Sequence, residues 1–286
     1  LAQWLAVDAL AKIARGDSGR AVRNLEASYV LGECLAHRLE LTSQIAAVAL
    51  QEFQAGLVRK LDPVPPHWRG RLQEAYNGEP LRKAFAYEAY NCRERGRRVS
   101  TVPFYRKMAR NERLLWRTFG RLWYRLSMAD VSSSYLEQMR ELEKLGPCAL
   151  DYFGPAREIG RSLPWWNTLG KMGLLNLGQY WERGIRLQVD AELTAKVLDI
   201  REARDRNGGA WPPSVPGIEV SRCSKARFVY AVKDGAVSLA FDRVMKVTDR
   251  PGKITLPLWY TAAAPTGEAC AVASPRPRAV GEERSP

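Results

Sequence analysis

Arg227-Phe228-Val229-Tyr230-Ala231-Val232-Lys233-Asp234-Gly235-Ala236-Val237-Ser238-Leu239-Ala240-Phe241 is the stretch on which the fold class turns. Phe228, Tyr230 and Val232 alternate on the way out, and Val237, Leu239 and Phe241 alternate on the return. A period of two sends successive side chains to opposite faces of a sheet. Between the runs stands Lys233-Asp234-Gly235, where glycine supplies the positive φ of a tight turn. The segment therefore predicts an antiparallel hairpin. Ile254 to Thr261 predicts a third strand, and Pro257, which lacks a ladder donor, assigns it to a sheet edge. From about Ala264 the chain is small, polar and proline-rich, which predicts disorder.

Upstream, apolar residues recur every three or four positions, the period of a helix. Leu1, Leu5, Ala9 and Ile13 predict a first helix ending at Gly16. Asp17 or Ser18 caps a second, to about His37, with Ala21, Leu25, Ser28, Gly32 and Leu35 on one stripe. Gly32 inside it points to a close neighbour. Thr42 or Ser43 caps a third through about Lys60, with Ile45, Ala49, Phe53 and Leu57 inward. Asp62-Pro63-Val64-Pro65-Pro66 is a stiff break. Helices then follow at about Trp68 to Tyr76, Pro80 to Arg95, Pro103 to Leu126 and Ser132 to Leu145. Gly146 to Pro164 reads as irregular. Trp166 to Arg204 is one long helical pattern, interrupted by Gly170, Gly173, Gly178 and Gly184 into two helices or a bent one. These glycines read as small contacts that let helices approach. Trp211 to Gly217, with three prolines, cannot be helical.

The fold class expected is mainly α (α+β). A helical body covers residues 1–164, and 165–263 form a long helix with a small antiparallel sheet of about two to four strands packed on it. Residues 264–286 form a disordered tail.

The chain is 46% hydrophobic and 26% charged, an ordinary globular balance. The most apolar stretch, Ile45 to Leu50, stops at Gln51 and Glu52, short of the roughly 18 apolar residues of a membrane span. The net charge is +13, carried by arginine more than lysine. Read along the sequence this charge is dispersed. Its densest run, Arg93-Glu94-Arg95-Gly96-Arg97-Arg98, falls at a helix end, where cations complement the helix dipole. Nucleic-acid binding is therefore not favoured. The five cysteines are widely spaced with no C-x-x-C pair, so a zinc or thioredoxin-like centre lacks its donors. Cys34 reads as a small buried hydrophobe.

No residue is assigned to catalysis, a cofactor or a metal. Gly16-Asp17-Ser18-Gly19 spells a serine-protease nucleophile motif, but it joins two helices, and capping accounts for it. Glu33 and His37 lie one helical turn apart without the second histidine a helical zinc site needs. His67, between Pro66 and Trp68, packs in the linker. Trp165, Trp166 and Trp211 are apolar candidates for a surface, and with Arg93, Arg95, Arg97 and Arg98 they form the expected interaction surface.

Two stretches resemble known proteins. Ala14-Arg15-Gly16-Asp17, followed by Ala21 and Leu25, resembles the inner turn of a single tetratricopeptide hairpin. Ala203-Arg204, then Gly209-Ala210-Trp211-Pro212-Pro213-Ser214, then short strands, is similar to the helix, G-x-[YW]-P-x-S loop and sheet of type II secretion pseudopilins. Together they resemble a family of large bacterial envelope proteins of unassigned activity. The resemblance implies a helical extracytoplasmic body, a membrane anchor upstream of Leu1, and other envelope proteins as partners. A non-enzymatic protein-interaction role is the expectation. The alternatives are a hydrolase-type enzyme using Asp and Glu in a cleft between body and sheet, and a basic module for nucleic acid or anionic lipid.

Overall fold

The computed structural model describes residues 2–74, 78–98, 119–145, 149, 152–223, 226–243 and 258–263. The hairpin forms as the alternation predicts. Strand β1 (Phe228–Lys233) pairs antiparallel with β2 (Ala236–Phe241), Phe228 opposite Phe241 and Lys233 opposite Ala236. Asp234 and Gly235 turn the chain with φ of 51° and 73°, the double positive φ that follows the right-handed strand twist. Strand β3 (Trp259–Ala263) pairs with β2 at the edge of a three-stranded sheet. The early part of the expected third strand, with Pro257, lies outside the described residues, as does the expected tail.

One sheet face is buried through Phe228, Val237, Leu239 and Phe241, with the Phe228 and Phe241 rings 5.2 Å apart. Val232 was expected on this face, yet it overhangs the core near the turn and is exposed.

The helices are α1 (Ala2–Ala14), α2 (Ser18–Ala36), α3 (Leu41–Val58), α4 (His67–Glu74), α5 (Glu79–Arg97), α6 (Arg121–Lys144), α7 (Phe153–Ser162), α8 (Thr168–Gly173) and α9 (Leu177–Arg206). Asp17 is the cap that starts α2, its carboxylate accepting the Arg20 N–H at 3.1 Å. The third helix starts earlier than its expected caps. Burial of Leu41 sets the first turn, so Thr42 and Ser43 fall inside the helix, and Glu40 precedes it without a side-chain cap.

Two other expectations are corrected. Helix α6 runs unbroken through Ser127 to Ser132, where a division was expected, because buried Ser127, Ser132 and Ser134 are small enough for a packed face. It lies antiparallel to α5: Arg125 and Met128 flank Gly96, and Glu143 faces Arg82 at 3.5 Å. The first part of the expected Pro103 to Leu126 helix is outside the described residues. Helix α7 falls inside the expected irregular stretch, with Pro155 in its first turn, where a missing N–H breaks no helical bond. The long pattern from Trp166 takes the two-helix form of its two expected ones, dividing into α8 and α9 around Leu174 to Asn176. Asn167 and Asn176 cap the two helices, accepting from Gly170 at 2.8 Å and Gly178 at 3.0 Å.

Helix α9 is the axis of the molecule. Its Leu187, Leu193, Val197 and Ile200 enter a core shared with Leu81 and Phe85 of α5, Leu142 of α6, and Phe228 and Leu239 of the sheet. Its Ala191 and Leu198 enter a second core with Ala9, Leu25, Val58, Leu61 and Trp68. Each large apolar side chain so buried contributes about 1.5–3 kcal/mol. The larger core takes residues from both sides of position 164. Phe53, expected inward, is exposed, because α3 packs through Leu50, Gln54, Leu57 and Val58 instead. Cys34, expected buried, is exposed on α2.

Candidate interaction surface

The last turns of α5 present Arg93, Arg95, Arg97 and Arg98 to solvent. Glu94 partly neutralises them, with Arg97 at 2.8 Å and Arg98 at 3.6 Å. Packing explains why this end sits against α6. Gly96 is buried, and a Cβ there would come within 3.0 Å of the Met128 Cβ and 3.6 Å of the Arg125 carbonyl oxygen.

Phe119, Leu122 and Leu126 follow at spacings of three and four, so they share one stripe at the start of α6. All three are exposed, Phe119 at 76% and Leu122 at 59%. At 100° per residue, Arg121 and Arg125 lie on the α5 side of this stripe and Trp123 on the other. Trp123 Nε1 donates to the Trp166 carbonyl at 3.0 Å. Asn167 Nδ2 donates to the Ser127 carbonyl at 3.2 Å and to Asp130 at 3.1 Å. These bonds fasten the α7–α8 connection to α6 and leave the Trp165 side chain 84% exposed, with Trp166 half-buried behind it.

The structure therefore brings Arg93, Arg95, Arg97, Arg98 and Trp165 to the same end of the molecule, around an apolar stripe that sequence reasoning did not assign. The signal was present. Between Arg93 and Arg125 the sequence holds eleven basic residues against two glutamates, a net +9 of the chain's +13. Along the sequence the charge is thus concentrated rather than dispersed, and its described part at this end is Arg93, Arg95, Arg97, Arg98, Arg121 and Arg125.

Trp211 does not join this surface. It is 7% exposed, and the Arg204 guanidinium stacks 5.0 Å from its ring. The proline loop is tied down beside it, since Tyr230 Oη donates to the Pro212 carbonyl at 2.6 Å. A rigid loop over the sheet turns this tryptophan inward.

Carboxylates of the α3–α9 contact stand against cations: Glu52 with Arg183 at 3.0 Å, and Asp190 with Arg59 at 2.8 Å. Burial pushes the Glu52 carboxyl up, and the Arg183 guanidinium opposes the shift. The hollow between the helical body and the sheet, about 410 Å³, is lined by Arg59, Lys60, Arg201, Trp259 and Tyr260 without an Asp or Glu among its described residues. His67, expected to pack in the linker, hydrogen-bonds Glu26 at 2.7 Å. Glu26 also accepts from Trp68 Nε1 at 2.8 Å and Arg71 at 2.6 Å, which docks α4 on α2. Among the described residues, no three of His, Cys, Asp and Glu stand together in a way that could hold a metal ion.

Cys34 and Cys92 are free thiols, and burial pushes the Cys92 thiol up. Cys223 is disulfide-bonded. Its partner is therefore one of the two remaining cysteines of the sequence, Cys148 and Cys270, which lie outside the described residues.

No protein-family model, curated protein or solved structure matches this chain. No helix among the described residues is long and apolar enough to cross a membrane.

Proposed function

We propose that this protein is a cell-envelope component whose body lies on the extracytoplasmic side and whose work is binding other proteins. The observation that carries the reading is the exposed stripe of Phe119, Leu122 and Leu126 beside Trp165. Aromatic and large apolar side chains on a rigid backbone are what central contacts of protein interfaces are made of. The flanking arginines supply the polar rim. The disulfide at Cys223 supports the compartment, because such bonds persist in oxidising surroundings. The succession of α9, the Gly209 to Ser214 loop and the sheet is the feature on which the resemblance to pseudopilin-like envelope proteins rests.

The test places a photo-crosslinking residue at Leu122, Trp165 or, as a control, Lys233 at the far hairpin, in cells that make the protein. Discrete protein adducts at the first two positions and not at the third are expected. In acid-quenched cells Cys223 is expected to be oxidised. A fully reduced Cys223 together with no adducts at Leu122 and Trp165 would overturn the reading.

The charge concentration favours a second reading, docking on an anionic lipid surface through the same end. Binding to anionic vesicles that weakens steeply with salt and with Arg93→Gln/Arg97→Gln would select it.

A further inference from the structure

A hollow of about 480 Å³ opens between α6, α7 and α8, away from the α5 arginines. Among the described residues its charged lining has one sign: Arg157 and Arg161 from successive turns of α7, and Lys171 from α8. Gln138 of α6 also lines it, and that residue is 0% exposed. The Gln138 amide has a fixed orientation, because its Oε1 accepts the Leu177 N–H at 2.9 Å where α9 begins. The other end of the amide, Nε2, is buried and has no hydrogen-bond partner. A buried donor left unmade costs about 1–3 kcal/mol, and native structures keep few of them. Here an amide with an unmade donor belongs to a residue of the hollow's wall, beside cationic side chains. Leu174 and Leu175 add an apolar wall.

We infer that this hollow is a binding site for the oxyanion of a phosphate or phosphate ester. Gln138 Nε2 donates to one oxygen, while Lys171 and Arg161 balance the charge around the others. Phosphate fits the set because it offers several acceptor oxygens and between one and two negative charges near neutral pH, matching two cations and a neutral donor. A phospholipid headgroup and a soluble phosphate ester both present this group. None of these residues belongs to the surface around Leu122, so the inference stands apart from the function proposed above.

The experiment titrates the full chain with inorganic phosphate and with glycerol 1-phosphate, following the Gln138 side-chain amide by ¹H–¹⁵N NMR and affinity by calorimetry. Saturable binding that shifts this amide is expected. Gln138→Glu keeps the acceptor for Leu177 and the side-chain volume but replaces the donor with a like charge, and binding should be lost. Arg161→Gln/Lys171→Gln alters exposed groups only, and affinity should fall at least tenfold. Arg93→Gln/Arg97→Gln should leave it unchanged. Sedimentation with phosphatidylglycerol vesicles separates the sources: co-sedimentation lost in Arg161→Gln/Lys171→Gln identifies a headgroup, and phosphate binding without co-sedimentation identifies a soluble ester. Absence of saturable binding to either phosphate probe, or undiminished binding by Gln138→Glu, would overturn the assignment.

Discussion

Arg59 Nη1, at the C-cap of α3, lies 2.8 Å from Asp190 Oδ1 and 2.6 Å from Thr194 Oγ1, so one guanidinium spans a full turn of α9. Asp190 is only 6% exposed. The pair is therefore asymmetric in what its members risk. Replacing Arg59 by leucine leaves a carboxylate in the interior without its cation, and the expected loss is about 3–5 kcal/mol. Replacing Arg59 and Asp190 together by leucine and asparagine removes the stranded charge and should cost clearly less. Urea unfolding of the single and double variants gives the comparison, and equal losses would contradict the reading.

Two glutamates should give stability opposite dependences on pH. Burial raises the Glu52 carboxyl above its ordinary value of 4.5. Its folded form holds the proton more tightly than the unfolded chain, so its favourable contribution is complete below 4.5 and is lost as pH rises through the shifted value. For Glu26, partial burial alone would raise the carboxyl, but hydrogen bonds from Arg71, His67 and Trp68 hold it below its ordinary value. Its contribution is present above that value and is lost as pH falls through the folded one. Glu52→Gln should flatten the decline in stability above the ordinary carboxylate range, and Glu26→Gln should flatten the acid-side loss. Thermal melts across a pH series read both slopes.

Gly178 and Gly173 form a contrasting pair. A Cβ on Gly178 would fall 1.9 Å from the Tyr152 carbonyl oxygen, a backbone atom that cannot swing away. Gly178→Ala should cost about 3 kcal/mol or more by forcing the start of α9 off its seat. Around Gly173 nothing lies within 4 Å of the corresponding position. Gly173→Ala should be neutral or stabilising by up to about 1 kcal/mol, through a less flexible unfolded chain. Denaturant midpoints of the two variants decide it.

The three described cysteines should react in a fixed order. Exposed Cys34 takes up a thiol reagent first, and Cys92, half-buried with its thiol pushed up by burial, follows slowly. Cys223 reacts only after reduction, which should lower stability by about 2–5 kcal/mol. Peptide mapping without reductant identifies its partner. Unprompted labelling of Cys223 in the folded protein would remove the disulfide from the account.

The hairpin was legible because two local signals agree, the alternation from Phe228 and the Asp234-Gly235 turn. Helix α7 was not, because Gly154, Pro155 and Gly160 look like breakers until Pro155 is seen in the first turn. Hydroxyl-rich 132–134 looked like a helix start, yet tertiary packing against α5 overrides that local preference. The interaction surface was half visible. The arginines and Trp165 stand out in sequence, whereas Phe119, Leu122 and Leu126 look like an ordinary core stripe, and only the packed structure shows the stripe uncovered. Trp211 errs the other way, since nothing local tells a loop tryptophan which side it faces. Gln138 gave no signal, because a mid-helix glutamine reads as solvent-facing.

Helix α9 runs 30 residues without interruption, about 45 Å at 1.5 Å per residue. Arg201 bonds the Leu61 and Arg59 carbonyls near one end, and Gln138 holds Leu177 at the other. One residue inserted anywhere along this rod would rotate everything beyond it by about 100°, setting every downstream knob against the wrong socket. Chain length is thus a locked quantity between Leu177 and Arg206.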